Sequence, residues 1–183
     1  GSGGVYDSAL AFGGLTNPTT RTNITESWNG SSWTELADLN TTRYQLAGSG
    51  TSNTSALAFG GNKPPNTAAT ETELWNGTSW AEQSDLANSG EVSGTGSTSS
   101  SMAVSFTPSP ARSSSEEWTG AGVAIGAWST GGSLNTAKSA VGGTPAGTQS
   151  AAMASTGQTA GGSKIASVEQ YNGTNWTETT DVN

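Results

Sequence analysis

Apolar residues in this chain come in short runs, such as "SALAF" at 8–12 and 55–59 and "SWTEL" at 32–36, each bounded by Gly, Asn, Pro or Thr. Runs of this length, alternating or wholly apolar and rich in aromatics, read as β-strands. No segment carries apolar residues at i, i+3, i+4 and i+7 through a helix length, so no helix is expected. Between aromatic-bearing runs stand "WNGSSW" at 28–33, "WNGTSW" at 75–80 and "YNGTNW" at 171–176. Each predicts a tight hairpin in which both Asn and Gly adopt positive φ. The elements are therefore small antiparallel sheets.

The runs repeat. "ALAFGG" at 9–14 recurs letter for letter at 56–61, after which Trp28 answers to Trp75, Trp33 to Trp80, Asp38 to Asp85 and Leu39 to Leu86. A worn third copy has "SMAVSF" at 101–106, "EEW" ending at Trp118, Trp128 in place of the second Trp, and "SLNTAK" at 133–138 matching "DLNTTR" at 38–43. In the fourth, "SAAMAS" at 150–155 precedes Tyr171, which stands where Trp28 stood, and Trp176. The chain divides into units of about 1–40, 41–87, 88–135 and 136–183, read together as one domain over 1–183. Units of roughly 45 residues match the repeat length of propeller blades. A four-stranded unit cannot cover both of its faces, so neighbours must stack, most simply around a ring. Gly13-Gly14 and Gly60-Gly61 are expected to end a buried strand where a Cβ would strike neighbouring backbone.

The order of apolar strand, diglycine, aromatic and later Trp resembles the kelch repeat. Gly13 and Gly14 resemble its diglycine, Trp28 its usual Tyr and Trp33 its Trp; Tyr171 and Trp176 restore the usual pair in the last unit, and the diglycine is lost in the third. The resemblance implies an all-β propeller of four-stranded blades, here about four of them in a small or incomplete ring. "GSGGVYDSALAFGG" at 1–14 aligns without a gap on 48–61, so the first residues are expected to be repeat sequence that begins partway through an innermost strand.

Charge and composition narrow the chemistry. Over 183 residues the net charge is −8, and the six cations are Arg21, Arg43, Lys63, Arg112, Lys138 and Lys164. Such a chain has no basic stripe for nucleic acid or for an anionic membrane. With no Cys and no His there are no disulfides, no thiolate nucleophile, no imidazole base and no Cys/His zinc site. The copper centre of kelch-fold oxidases, built on His, Tyr and a Cys cross-link, has no ligand set here. No phosphate loop, dinucleotide fingerprint or nucleophile elbow is present. No apolar run is long enough to span a bilayer, and 1–8 has no signal-peptide character. No cofactor, no metal site and no enzymatic activity are expected.

Recurrence assigns most remaining candidates to structure. The seven Trp (Trp28, Trp33, Trp75, Trp80, Trp118, Trp128 and Trp176) are expected in the core and between units, with Trp128 the most exposed because it lies in an irregular insertion. Glu26, Glu73, Glu116 and Glu169 recur two residues before the first aromatic and are expected to satisfy backbone amides. Asn-x-Ser/Thr triplets at Asn29, Asn76 and Asn172 are accounted for by the turns. The segments 15–25, 62–72 and 107–115 differ from unit to unit, as contact loops do. Candidate interaction residues are therefore Trp128, Arg112, Lys63 and Asn66. The expected function is a non-enzymatic structural or decoration protein of a virion or other extracellular surface, with protein partners, its own copies included. The alternative is a module that recognises glycan or protein through loops at one face.

Overall fold

In the computed structural model, residues 1–107, 113–120, 126–139, 141–143, 148 and 150–182 are described, and every regular element among them is a strand. The first sheet is β1 (Ser2–Val5), β2 (Ser8–Leu15), β3 (Arg21–Trp28) and β4 (Trp33–Glu35). In the second, β5 (Ala47–Ser52), β6 (Ser55–Phe59), β9 (Thr72–Trp75) and β10 (Trp80–Glu82) pair in that order. A separate hairpin, β7 (Asn62–Lys63) and β8 (Thr67–Ala68), is inserted after β6. The third sheet holds β11 (Glu91–Ser97), β12 (Ser100–Thr107), β13 (Ser115–Thr119) and β14 (Ala127–Thr130). The fourth holds β15 (Gly142–Gly143), β16 (Ala152–Ser155), β17 (Val168–Tyr171) and β18 (Trp176–Glu178). All pairings are antiparallel, and one four-stranded sheet falls in each sequence unit.

Strand alternation explains how the sheets stack. Along β2, Leu10 and Phe12 point to one face and the smaller Ala9 and Ala11 to the other. Leu10 and Phe12 pack with Leu39 and Leu46 against Ala56, Ala58, Trp75 and Trp80 of the second sheet. That sheet repeats the scheme: Leu57, Phe59 and Leu86 pack against Ala103, Trp118 and Trp128 of the third. Met102, Val104 and Leu134 in turn meet Ala152, Ala154, Tyr171 and Trp176 of the fourth. Large side chains on one face thus enter the space left by alanines on the next, and each large side chain buried stabilises by about 1.5–3 kcal/mol. The first strands follow suit, β1 lying against β5, β5 against β11 and β11 against β15.

Two local expectations need correction. The Asn-Gly turns do not use positive φ at both residues: Gly30, Gly77 and Gly173 have it (φ 91°, 94° and 92°), whereas Asn29, Asn76 and Asn172 do not. These are four-residue loops in which the Asn side chain accepts from the amides two and three residues further on, as Asn29 Oδ1 does from the N–H groups of Ser31 and Ser32 at 3.0 Å each. The second difference concerns the diglycines. Gly60-Gly61 follows the end of β6, but Gly13-Gly14 lies inside β2, where the pairing with β3 slips between Phe12 and Gly14. The steric reason is as expected: a Cβ on Gly13 would stand 2.7 Å from the Arg43 carbonyl, and one on Gly61 2.7 Å from the Tyr44 carbonyl.

Candidate interaction surface

Three of the four recurring carboxylates, Glu73, Glu116 and Glu169, are consumed between sheets; Glu26, expected to satisfy backbone amides as they do, is exposed instead, because among the described residues no neighbouring connection lies over it. Glu73, on β9, accepts the Asn40 and Thr41 amides at 2.7 and 3.4 Å from the connection leading out of β4. The same connection brings Arg43, fully buried, to 2.8 Å from Glu73. Arg43 also donates to the carbonyls of Gly60 and Glu71, so one cation ties the connection to the diglycine of the next unit. Burial pushes the guanidinium pKa down, and the Glu73 carboxylate opposes that push. On β17, Glu169 accepts the Asn135 and Thr136 amides and pairs with buried Lys138 at 3.0 Å. In the third unit the position of Arg43 is taken by Gly90; Glu116 instead accepts the Ala87 and Asn88 amides and the Asn88 side chain, all within 2.9 Å. Three junctions therefore carry one device, two backbone N–H groups on a buried carboxylate.

Tryptophans are spent in the same places. Trp80 Nε1 donates to Thr25 Oγ1 across the first junction, and Trp128 Nε1 to Thr72 Oγ1 across the second, each at 2.9 Å. Phe12 meets the Trp80 ring edge-on, as Phe59 meets Trp128. Trp128 pairs with Trp118 across β13 and β14 in the register that the repeat gives to Trp28 and Trp33. The expectation that Trp128 is the most exposed tryptophan is thus corrected: it is partly buried in the second core, and Trp33, at 50% exposure, is the open one. Tyr171 reaches back to the third sheet, its hydroxyl donating to Glu117, and burial followed by that bond pushes its pKa up.

Lys63 and Asn66 come together on an exposed rim with two residues that were not singled out, Arg21 and Tyr44. The loop after β2 is set by Asn17, whose Oδ1 accepts the Thr19 and Thr20 amides. It delivers Arg21 to the Pro65 carbonyl at 2.8 Å and to the Asn66 side chain. The same guanidinium lies 5.0 Å over the Tyr44 ring, and the Tyr44 hydroxyl donates to Asn66 Oδ1 at 3.0 Å. Lys63 pairs with Glu71 beneath this loop; burial would raise the Glu71 pKa, but Lys63 and the backbone bring it below its ordinary value. Variable loops of the first two units thus brace each other. Tyr44 was legible as a departure, since Glu91 and Ser139 occupy its place in the third and fourth units. Arg112, with most of the segment 107–115, lies outside the described residues.

Among the described residues no helix is long and apolar enough to cross a membrane, and no group of three or more acidic, His or Cys side chains is arranged to hold a metal ion. No family model and no curated protein matches the chain. It is similar in fold to the solved structure of YjhT, with a TM-score of 0.78 and 9% identity, over 99% of this chain and 70% of that one.

Proposed function

We propose that this chain is a non-enzymatic structural protein of a virion or other extracellular surface, its four sheets the blades of an incomplete kelch-like propeller. One observation carries the reading: three of the four recurring carboxylates, two of the cations and most of the tryptophans are spent on holding neighbouring sheets together and do not converge on a cleft. A fold locked by such repeated junctions needs neither disulfide nor metal, which suits exposure outside a cell. Immunogold labelling with an antibody against the β7–β8 loop tests this. Label on released particles or on cell surfaces is expected, and label confined to the cell interior overturns it.

A second reading is favoured by the rim of Arg21, Tyr44, Pro65 and Asn66, where the chain departs from its own repeat to present a braced polar and aromatic edge. Such an edge suits stacking and hydrogen bonding to a glycan or a protein loop. A glycan array with the intact chain and with Tyr44→Ala tests it; binding that is absent, or that survives the substitution, removes this reading.

A further inference from the structure

Among the described residues, the large apolar side chains that stand exposed are Val5, Tyr6, Leu15, Trp33 and Val182, all in the first unit or in the tail after β18. Their places in the repeat are known. Trp33 corresponds to Trp80 and Trp176, each 5% exposed, and stands itself at 50%. Tyr6, at 91%, occupies the position of Asn53, as the shared acceptance of the following Trp indole shows. Asn53 bridges to Ser8, Ser27 and Trp28 of the preceding unit. Glu26 is exposed where Glu73, Glu116 and Glu169 are 0–1% exposed and latched. Beside Glu26 lies a hollow of about 210 Å³ lined by Ala11, Leu15, Thr22 and Ile24.

The last unit carries the complementary half. Val182 donates its N–H to the Ala166 carbonyl, as Leu39 does to Asn23, Leu86 to Thr70 and Leu134 to Ser113. Those three leucines are 1–3% exposed under the next sheet, whereas Val182 is 46% exposed. Met153, which takes the place of the buried Leu10, Leu57 and Met102, is only partly covered. A hollow of about 470 Å³ opens beside Val182, lined by Gly157, Lys164, Ile165 and Ala166, so this face carries a cation where the other carries the Glu26 carboxylate.

We infer that these two faces are the halves of one further junction, and that a second copy of this chain docks head to tail across them, its Val182 tail and last sheet covering Trp33, Tyr6 and Glu26. The occupant follows from the three internal junctions, in which the first face is always met by the outer face of a like sheet. The contact joins different surfaces on the two copies, so repetition either closes a ring or extends a filament. It holds independently of where the protein resides.

Light scattering over a concentration series tests this. The 183-residue chain is expected to exceed its monomer mass of 18.3 kDa as concentration rises. Trp33→Ala and Val182→Asp, at opposite ends, are each expected to weaken assembly by about 30-fold or more, as loss of a central anchor does. Glu82→Gln, an exposed change on the second sheet, leaves it unchanged. Because the chain has no cysteine, Glu35→Cys, on the same face of β4 as Trp33, and Ser155→Cys chains can be joined by a short bismaleimide, and cross-links should form in their mixture only. A mass of 18.3 kDa throughout, assembly that survives both end substitutions, or cross-links within either variant alone overturns the inference.

Discussion

Glu73 and Glu26 occupy the same position in successive repeats, and only Glu73 has a neighbouring connection to hold. Replacing Glu73 by Ala strands the guanidinium of Arg43, which is 0% exposed, and leaves the Asn40 and Thr41 amides without their acceptor. Removing one partner of a buried ion pair costs about 3–5 kcal/mol, because the remaining charge stays uncompensated. At a urea slope of about 2 kcal/mol/M, the midpoint should fall by about 2 M. Glu26→Ala, on an exposed carboxylate, should stay within about 0.5 kcal/mol of the unmodified chain. Glu73→Gln should fall between the two, since it keeps an acceptor for an amide but loses the charge that faces Arg43. Urea titrations followed by tryptophan fluorescence, at a protein concentration where the chain is monomeric, read all three. Equal midpoints for Glu73→Ala and Glu26→Ala would refute the reasoning, because the penalty then could not come from the junction.

Two further predictions rest on single contacts. Trp80→Phe removes the indole N–H from Thr25 Oγ1 and should cost about 1 kcal/mol, whereas Trp176→Phe should cost less, since the Trp176 Nε1 is buried with no acceptor among the described residues; paired thermal melts compare them, and a larger loss at Trp176 contradicts the assignment. The Lys63–Glu71 pair should make the β7–β8 hairpin sensitive to acid. Glu71 titrates below its ordinary 4.5 when folded, so its contribution is whole above pH 4.5 and is lost as pH falls through the lowered value. Protection of the amides at 62–68, measured against the intrinsic exchange rate at each pH, should drop over that fall, and Lys63→Met should abolish the change.

Much of the fold was legible because its signals are local. The period-two alternation of "SALAF" already separates Leu10 and Phe12 from Ala9 and Ala11, and Asn-Gly between aromatics marks each outer hairpin. Repetition itself assigned Glu73, Glu116 and Glu169 to structure, and their bonds to backbone amides agree. The rim was only half legible: Lys63 and Asn66 stand out as loop polar residues, but Arg21 and Tyr44 join them through packing between residues distant in sequence.

By itself, then, the sequence determined the number of units, their strands and the residue types at each repeated position, since these follow from local periodicity and turn chemistry. Tertiary structure decided what each position does. Trp33 and Trp80 share one repeat position, as do Glu26 and Glu73, yet one of each pair lies open and the other is sealed. The difference is the presence of a neighbouring sheet: burial of an indole or a carboxylate depends on what covers it, and no residue carries that information in its own unit.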